Sequence, residues 1–138
     1  ISKGEFVEAV HVPGPKSGAI FAIHKISKRR DEDITAVLGA FQIVVENGQV
    51  VSACIAYGGM AATPKRAKNV EAALVGKAWN AQTVEQAMAA YPSDFTPLSD
   101  MRASADYRML VAKNLLMRVY LESTGTTAPI TVSRYEAA

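Results

Sequence analysis

The chain has 138 residues, of which 49% are apolar, and its 15 basic and 13 acidic residues give a net charge of +2. This size and composition predict one globular domain and exclude a disordered protein, and the near balance of charge argues against a nucleic-acid partner. No apolar run reaches the roughly 18 to 20 residues of a membrane helix, and the N-terminus lacks the apolar core of a signal peptide, so we expect a soluble, cytoplasmic protein with no membrane partner.

Cysteine and histidine are too scarce for several kinds of site. The chain has one cysteine, Cys54, and two histidines, His11 and His24. A single cysteine cannot form an intrachain disulfide, which suits a reducing compartment, and the three residues lack the spacing of a zinc site. We therefore predict no metal site and no catalytic residue. Cys54 is expected to be a small buried residue, and both histidines are expected to lie in strands beside local partners.

The first half of the chain has the composition of β-strands. Residues 5–12 and 19–26 are two β-type runs, the first ended by Pro13 and Gly14 and the second by a block of charge. Two further apolar runs follow, and between them Asn47 and Gly48 supply the positive φ values of a type I′ turn. The pattern predicts a hairpin in an antiparallel sheet of three to four strands, covered on one face and partly buried on the other.

The second half has helical patterns. Thr63 and Pro64 predict a helix that begins at about Pro64 and runs to Leu74. Thr83 with Gln86 forms a capping-box pattern that predicts a second helix. Residues 91–100, with two prolines, predict an extended connection.

The longest helical pattern covers residues 103–122. Together these elements predict an α+β fold in which three helices pack on one face of the sheet. We predict a single domain over residues 1–123, followed by a loose tail over residues 124–138. Since the chain begins with Ile1 rather than Met, we also expect it to be a piece of a longer protein.

Two segments each allow a structural and a ligand-binding interpretation. Residues 57–64, "YGGMAATP", combine two glycines with an expected helix start, where backbone N–H groups can receive an anion. Their spacing matches neither the dinucleotide fingerprint nor the P-loop, so we favour a tight turn. In residues 100–108, "DMRASADYR", Asp100 can cap the long helix and pair with Arg102 or Arg108. We favour structural pairing there too.

A block of charge, "KISKRRDEDI", occupies residues 25–34 and sets four basic residues against three acidic ones. One hypothesis is a free-standing module that binds an anion or nucleic acid through this block and through a second basic cluster at residues 65–68. The adjacent carboxylates cancel most of the local field, and no aromatic residues are interleaved for base stacking. We keep this hypothesis as the alternative.

Three motifs carry a family resemblance when they are taken together. Their order and separations resemble those in the C-terminal domain of the FAD-binding subunit of molybdenum hydroxylases. The motifs are "KISKRRDEDI", "GGMAATPKRA" and "FTPLSDMRASADYRMLVAKNLL". The resemblance covers roughly residues 5–122. Within this superfamily, known also for its CO dehydrogenase flavoproteins, "GGMAATPKRA" looks like the version in bacterial xanthine dehydrogenases.

The resemblance implies one part of a larger oxidoreductase. In such enzymes a molybdopterin subunit hydroxylates a purine, electrons pass through two [2Fe-2S] clusters to FAD, and FAD delivers a hydride to NAD. The domain closes one side of the flavin pocket, while an N-terminal FAD-binding domain, which this sequence lacks, holds most of the FAD. The expected partners are that domain, the molybdopterin subunit and the iron-sulfur domain. The fragment should be inactive alone, and a homodimer is left open.

The resemblance also suggests cofactor-binding residues. Lys25 matches a family lysine that approaches the flavin, where a cation can stabilise the electron-rich ring of reduced flavin. Asp31 and Glu32 fall in a loop that lies near the isoalloxazine in animal relatives and influences access of NAD. Arg29 and Arg30 can support that loop or bind the phosphates of the nicotinamide cofactor.

Overall fold

The computed structural model describes residues 1–14, 16–29 and 33–125. Four strands, in chain order, form one antiparallel sheet with the order β1-β2-β3-β4. The strands are β1 (Ile20–Ile26), β2 (Val37–Glu46), β3 (Gln49–Gly58) and β4 (Lys65–Arg66), and the helices are α1 (Lys68–Leu74), α2 (Ala81–Met88), α3 (Tyr91–Asp94) and α4 (Ala105–Ser123). The predicted α+β fold is therefore confirmed. None of the described helices is both long and apolar enough to cross a membrane.

The hairpin predicted between two apolar runs joins β2 to β3. Asn47 and Gly48 have φ values of 50° and 76°, the left-handed backbone that a tight two-residue turn requires. A bulge between Val44 and Val45 shifts the register near this turn. From there to the far end of the hairpin the pairing is regular and reaches Leu38 opposite Gly58.

The core lies between one face of the sheet and the helices. Successive side chains along β2 alternate between buried and half-buried, as expected when only one face is fully covered. Tyr57 extends from β3 into the centre of this core, where its hydroxyl donates to the Ala112 carbonyl at 2.8 Å and lies 2.6 Å from the Tyr91 hydroxyl. Burial raises the pKa of both tyrosines, so the two phenols stay protonated and hydrogen-bonded.

Residues 5–12 do not form the predicted strand. They lie outside any sheet, and Phe6, Val10 and Val12 are each more than three quarters exposed. A β-type sequence becomes a strand only when it pairs with another strand, and no strand of the described sheet pairs with this segment. His11 therefore lies in an exposed segment rather than in a strand.

Helix α1 begins at Lys68 instead of Pro64, because β4 occupies the intervening residues. Its cap comes from far along the chain: the Asp94 carboxylate accepts hydrogen bonds from the backbone N–H groups of Asn69 and Val70 at 3.0 Å. These bonds occupy the anion-binding position at the helix N-terminus. The structural interpretation of residues 57–64 is thus the one that fits.

The other three helices also differ from the predictions. A short helix, α3, lies within the segment that was predicted to be extended, and Pro92 takes an early helical position that proline tolerates. Helix α2 is capped by the Asn80 side chain rather than by Thr83. Helix α4 is capped by Ser104 rather than by Asp100.

Replacing Gly59 with alanine should destabilise the fold more than replacing Gly76. Both glycines have positive φ values, +80° and +76°, so each substitution strains the backbone by about 1 kcal/mol or more. Only at Gly59 would the added Cβ also lie 2.2 Å from the Ala36 carbonyl oxygen. We expect Gly59→Ala to lower the free energy of unfolding by about 3 kcal/mol or more, as measured by urea denaturation. Equal losses for the two variants would contradict the close contact.

Candidate functional site

The face of the sheet opposite the helices, called the open face below, combines apolar side chains with small ones. On β1, Phe21 and Ile23 are 59% and 56% exposed. The strand register places further residues of this face beside them, among them Lys25, Leu38, Ala40, Gln42, Cys54, Ala56 and Gly58. An exposed apolar surface of this kind is typical of an interface or a ligand-binding wall.

Lys25 is a cation of the open face. It is exposed near the end of β1, and it lies opposite Leu38, which in turn lies opposite Gly58. Within the described ranges no hydrogen bond or ion pair holds its ammonium group. The charge can therefore interact with a molecule that covers this face.

A shallow depression of about 280 Å³ lies on the same end of the open face. Its floor consists of small residues, because the side chains of Ala40 and Ala56 are single methyl groups and Gly58 has none. A flat ring can approach a strand backbone closely where side chains are this small. The other lining residues are Thr35, Leu38, Tyr57, Gly59 and Pro64.

The segment of residues 27–36, called the charge loop below, connects β1 to β2. Its described part is folded around Asp33, whose carboxylate accepts hydrogen bonds from the backbone N–H groups of Arg29 at 2.8 Å and Ile34 at 2.9 Å. The bond from Arg29 is the main reason that the pKa of Asp33 is lowered. The Arg29 guanidinium also lies 3.7 Å from this carboxylate.

The structure leaves part of the predicted site untested. Arg30, Asp31 and Glu32 lie outside the described residues, so the role suggested for Asp31 and Glu32 stays a prediction. Arg29 lies near Asp33 within its own loop, and its predicted role stays a prediction as well.

A buried cation joins the charge loop to the turn after β3. Arg108 is only 3% exposed, and its Nη1 donates to the carbonyl oxygens of Ala36 and of Gly59, the latter at 3.0 Å. Its Nη2 donates to the Asp100 carboxylate at 2.7 Å. That carboxylate also accepts from the backbone N–H groups of Arg102 and Ala103. The predicted pairing of Asp100 with both arginines is confirmed, and these bonds hold the pKa of Asp100 below its usual range.

The second basic cluster is already engaged by protein groups. The Lys65 ammonium donates to the Asp94 carbonyl, and the Arg66 guanidinium donates to the Glu71 carboxylate at 2.6 Å. The hydrogen bonds that Arg66 donates to Glu71 raise the pKa of Arg66. Because protein groups already bind Lys65 and Arg66, these two cations are less available to bind the anion or nucleic acid of the alternative hypothesis.

His24 and Cys54 lie on opposite faces of the sheet. His24 lies in a strand, as predicted, and faces the helices, with Nε2 3.2 Å from a Glu122 carboxylate oxygen but without a hydrogen-bond partner among the described residues. Burial lowers its pKa. Cys54 is half-buried on the open face rather than fully buried as predicted. Within the part of the chain that the structure describes, no group of three or more acidic, histidine or cysteine residues could hold a metal ion.

Comparison with known proteins shows the family of this chain. The family model of the CO dehydrogenase flavoprotein C-terminal domain matches residues 22–123. The chain belongs to this family. The match contains Lys25, the charge loop and Arg108, and of the open-face residues named above it leaves out only Phe21.

Similar proteins are subunits of oxidoreductases. The chain is 31% identical over 118 residues to the carbon monoxide dehydrogenase medium chain of Afipia carboxidovorans, covering 86% of this chain and 41% of that protein. It is 29% identical over 120 residues to the putative xanthine dehydrogenase FAD-binding subunit of Escherichia coli, again covering 86% and 41%. It thus spans about two fifths of these relatives.

A solved structure shares the fold. It is a carbon monoxide dehydrogenase from Hydrogenophaga pseudoflava that lacks the Mo-pyranopterin moiety of its molybdenum cofactor. The TM-score is 0.70 at 33% identity, and the match covers 78% of this chain and 37% of that one. The α+β fold predicted from the family resemblance therefore agrees with a solved relative.

Asp100→Asn should make the free energy of unfolding less dependent on pH under acidic conditions. A carboxyl whose pKa is lowered in the folded state binds fewer protons there than in the unfolded chain. Its stabilising contribution is complete above the ordinary value of 3.8 and is lost as the pH falls below it. In the variant, the free energy of unfolding should change less between pH 5 and pH 2 than in the wild type. An unchanged pH dependence in urea titrations would contradict this role of Asp100.

Proposed function

We propose that this chain is the part of an FAD-binding subunit of a molybdenum hydroxylase that closes one side of the flavin pocket. The observation that carries the proposal is Lys25, whose ammonium lies on an uncovered sheet face beside a floor of small residues. Membership of the flavoprotein domain family supports it, and so does the similarity to a subunit described as FAD-binding.

The residues of the open face fit a flavin in two respects. The depression beside Ala40, Ala56 and Gly58 lets the flat isoalloxazine approach the sheet, and the exposed Phe21 and Ile23 offer apolar surface around it. Lys25 supplies the positive charge that the ring favours as it gains electrons. When bound, FAD would supply the redox chemistry, by accepting and passing on pairs of electrons.

The protein's own contribution is binding and electrostatics. Lys25 would place a positive charge beside a bound flavin ring, and the apolar residues would exclude water there and strengthen the interaction. No described residue of the open face is a general acid or base for substrate hydroxylation, which in this proposal takes place in another subunit. On this basis the chain has no activity by itself.

Within the family, we assign the chain to the xanthine dehydrogenase type, with NAD as electron acceptor. The assignment rests on the "GGMAATPKRA" motif at residues 58–67. Relatives with carbon monoxide and with xanthine in their names are similarly close to the chain. Reconstitution with the complete set of subunits, followed by turnover assays with xanthine and with carbon monoxide, would distinguish the two classes.

Tight FAD binding should require the rest of the subunit. The open face offers one wall of a pocket, and one wall leaves most of a dinucleotide in water. In fluorescence titrations we expect weak or no binding of FAD to this chain alone and stoichiometric binding to the complete subunit. A complete subunit that does not bind FAD would overturn the proposed function.

Lys25→Ala in the complete subunit should lower the reduction potential of the bound flavin. Removing a nearby cation disfavours the reduced, more negative ring, and a loss of about 1 kcal/mol corresponds to about 20 mV for a two-electron couple. The same variant should slow the reduction of NAD. Spectroelectrochemical titration measures the potential, and Lys77→Ala, which changes an exposed lysine after α1, is the control. An unchanged potential and unchanged NAD kinetics would remove Lys25 from the site.

A further inference from the structure

A second depression adjoins the one assigned to the flavin. Its volume is also about 280 Å³, and Asp100, Arg102 and Arg108 are among the residues that line it. We call it the arginine depression. Thr35 and Gly59 line both depressions, so the two share a rim just before β2 and just after β3. A ligand of moderate length can therefore reach from one depression into the other.

Arg102 has hydrogen-bond donors that the protein does not use. Its side chain is half-buried, and only Nη1 has partners, of which the stronger is the Asp100 carboxylate at 3.3 Å. Among the described residues no group accepts a hydrogen bond from Nε or Nη2 of Arg102. A guanidinium with two such free donors can bind one phosphate through two parallel hydrogen bonds.

The charge of the arginine depression favours an anion. The Asp100 carboxylate lies there too, but it accepts from the Arg108 guanidinium at 2.7 Å and from the backbone N–H groups of Arg102 and Ala103. Arg108 thus neutralises the carboxylate. Two guanidinium groups against one carboxylate leave an excess of one positive charge, and Arg102 is the more exposed of the two arginines.

The rest of the arginine depression favours an organic phosphate over a free inorganic ion. Thr96 is exposed, and its hydroxyl makes no hydrogen bond within the described chain. Ala61 and Ala62, in the turn after β3, carry only methyl groups, so a ligand can approach the backbone there. Leu98 is 63% exposed and offers apolar surface to a ribose or a base. An inorganic ion would gain nothing from that surface.

The position of the arginine depression points to a dinucleotide. An acceptor that takes electrons as a hydride must bring its own ring into contact with the flavin. In NAD a single ribose joins the nicotinamide ring to the pyrophosphate, so the phosphates of a productively bound NAD lie close to the flavin. The depression that adjoins the flavin wall at Thr35 and Gly59 is a suitable place for them.

We propose that Arg102 binds the pyrophosphate of the dinucleotide that oxidises the flavin, and thereby gives the subunit a preference for NAD over a neutral quinone. The inference rests on the proposed function, in which NAD is the electron acceptor. The pairing with Asp100 orients the guanidinium, and its free donors bind the ligand. Because FAD contains the same pyrophosphate group, the experiment has to distinguish the two dinucleotides.

Two variants of Arg102 and one control test the proposal in the complete subunit loaded with FAD. Arg102→Gln removes the charge and keeps a polar side chain, whereas Arg102→Lys keeps the charge but lacks the fork of two donors. The control is Arg118→Gln, which removes a guanidinium that donates to the Glu122 carboxylate elsewhere on α4.

The first measurement is the affinity for NAD. NAD oxidises the reduced flavin by taking up one hydride and becoming NADH, and the dependence of this rate on NAD concentration in stopped flow gives an apparent Kd. We expect the apparent Kd to rise about tenfold or more in Arg102→Gln, to rise less in Arg102→Lys and to keep the wild-type value in Arg118→Gln. Inorganic pyrophosphate should compete with NAD in the wild type and only weakly in Arg102→Gln.

The second measurement repeats the assay with a neutral quinone. The ratio of the second-order rate constants for NAD and for the quinone should fall about tenfold or more in Arg102→Gln. Equal slowing with both acceptors would overturn the proposal, because it would indicate a structural role. An unchanged affinity for NAD would overturn it too, and so would weaker binding of FAD with an unchanged affinity for NAD, which would assign the phosphates to FAD.

The outcomes separate this proposal from the one on which it rests. If the wild-type subunit binds FAD and Lys25→Ala shifts its potential, but Arg102→Gln binds NAD as the wild type does, only the role of Arg102 fails. If the reduced wild-type subunit reacts with the quinone and not with NAD, the role of Arg102 and the assignment of NAD fail together, while the flavin-closing function stands. If the complete subunit does not bind FAD, both proposals fail.

Discussion

The side chains of a β-strand alternate between two faces, and in this chain the described helices bury only one face of the sheet. Phe41, Ile43 and Tyr57 face the helices and form the centre of the core. The alternation then forces their neighbours in the sequence onto the other face, whatever their polarity. Phe21, Ile23 and Lys25 are exposed for this reason, and the features assigned to the flavin lie on that uncovered surface.

The uncovered face also explains why the domain suits a role within a larger protein. A wall of apolar and small residues with one cation can complete a pocket, but it cannot enclose a cofactor by itself. The relatives are more than twice as long as the matched region, and in our proposal the remainder of such a subunit provides the other walls. The exposed Phe6, Val10 and Val12 form a second apolar region outside the core.

Buried polar groups, rather than the apolar core, connect the loops to one another. Asp94 caps α1 from a distant helix, Glu71 accepts from the Ile55 backbone, and Arg108 bridges two loop ends. Each of these groups would be costly to bury without its partner. Such contacts fix relative positions with a directionality that apolar packing lacks, and this matters where a surface must match a planar cofactor.

Local sequence determined those parts of the protein whose causes are local. Turn chemistry and periodicity account for the Asn47 and Gly48 turn, for the strands on either side of it and for the existence of three main helices. That Lys25 lies near a flavin is a prediction from the family resemblance. The tertiary structure decided what depends on distant partners. Residues 5–12 lack a strand to pair with, α1 starts where Asp94 caps it, and Arg108 binds carbonyls 72 and 49 residues away along the chain. No periodicity encodes such pairings, because they exist only once the folded chain brings both groups together.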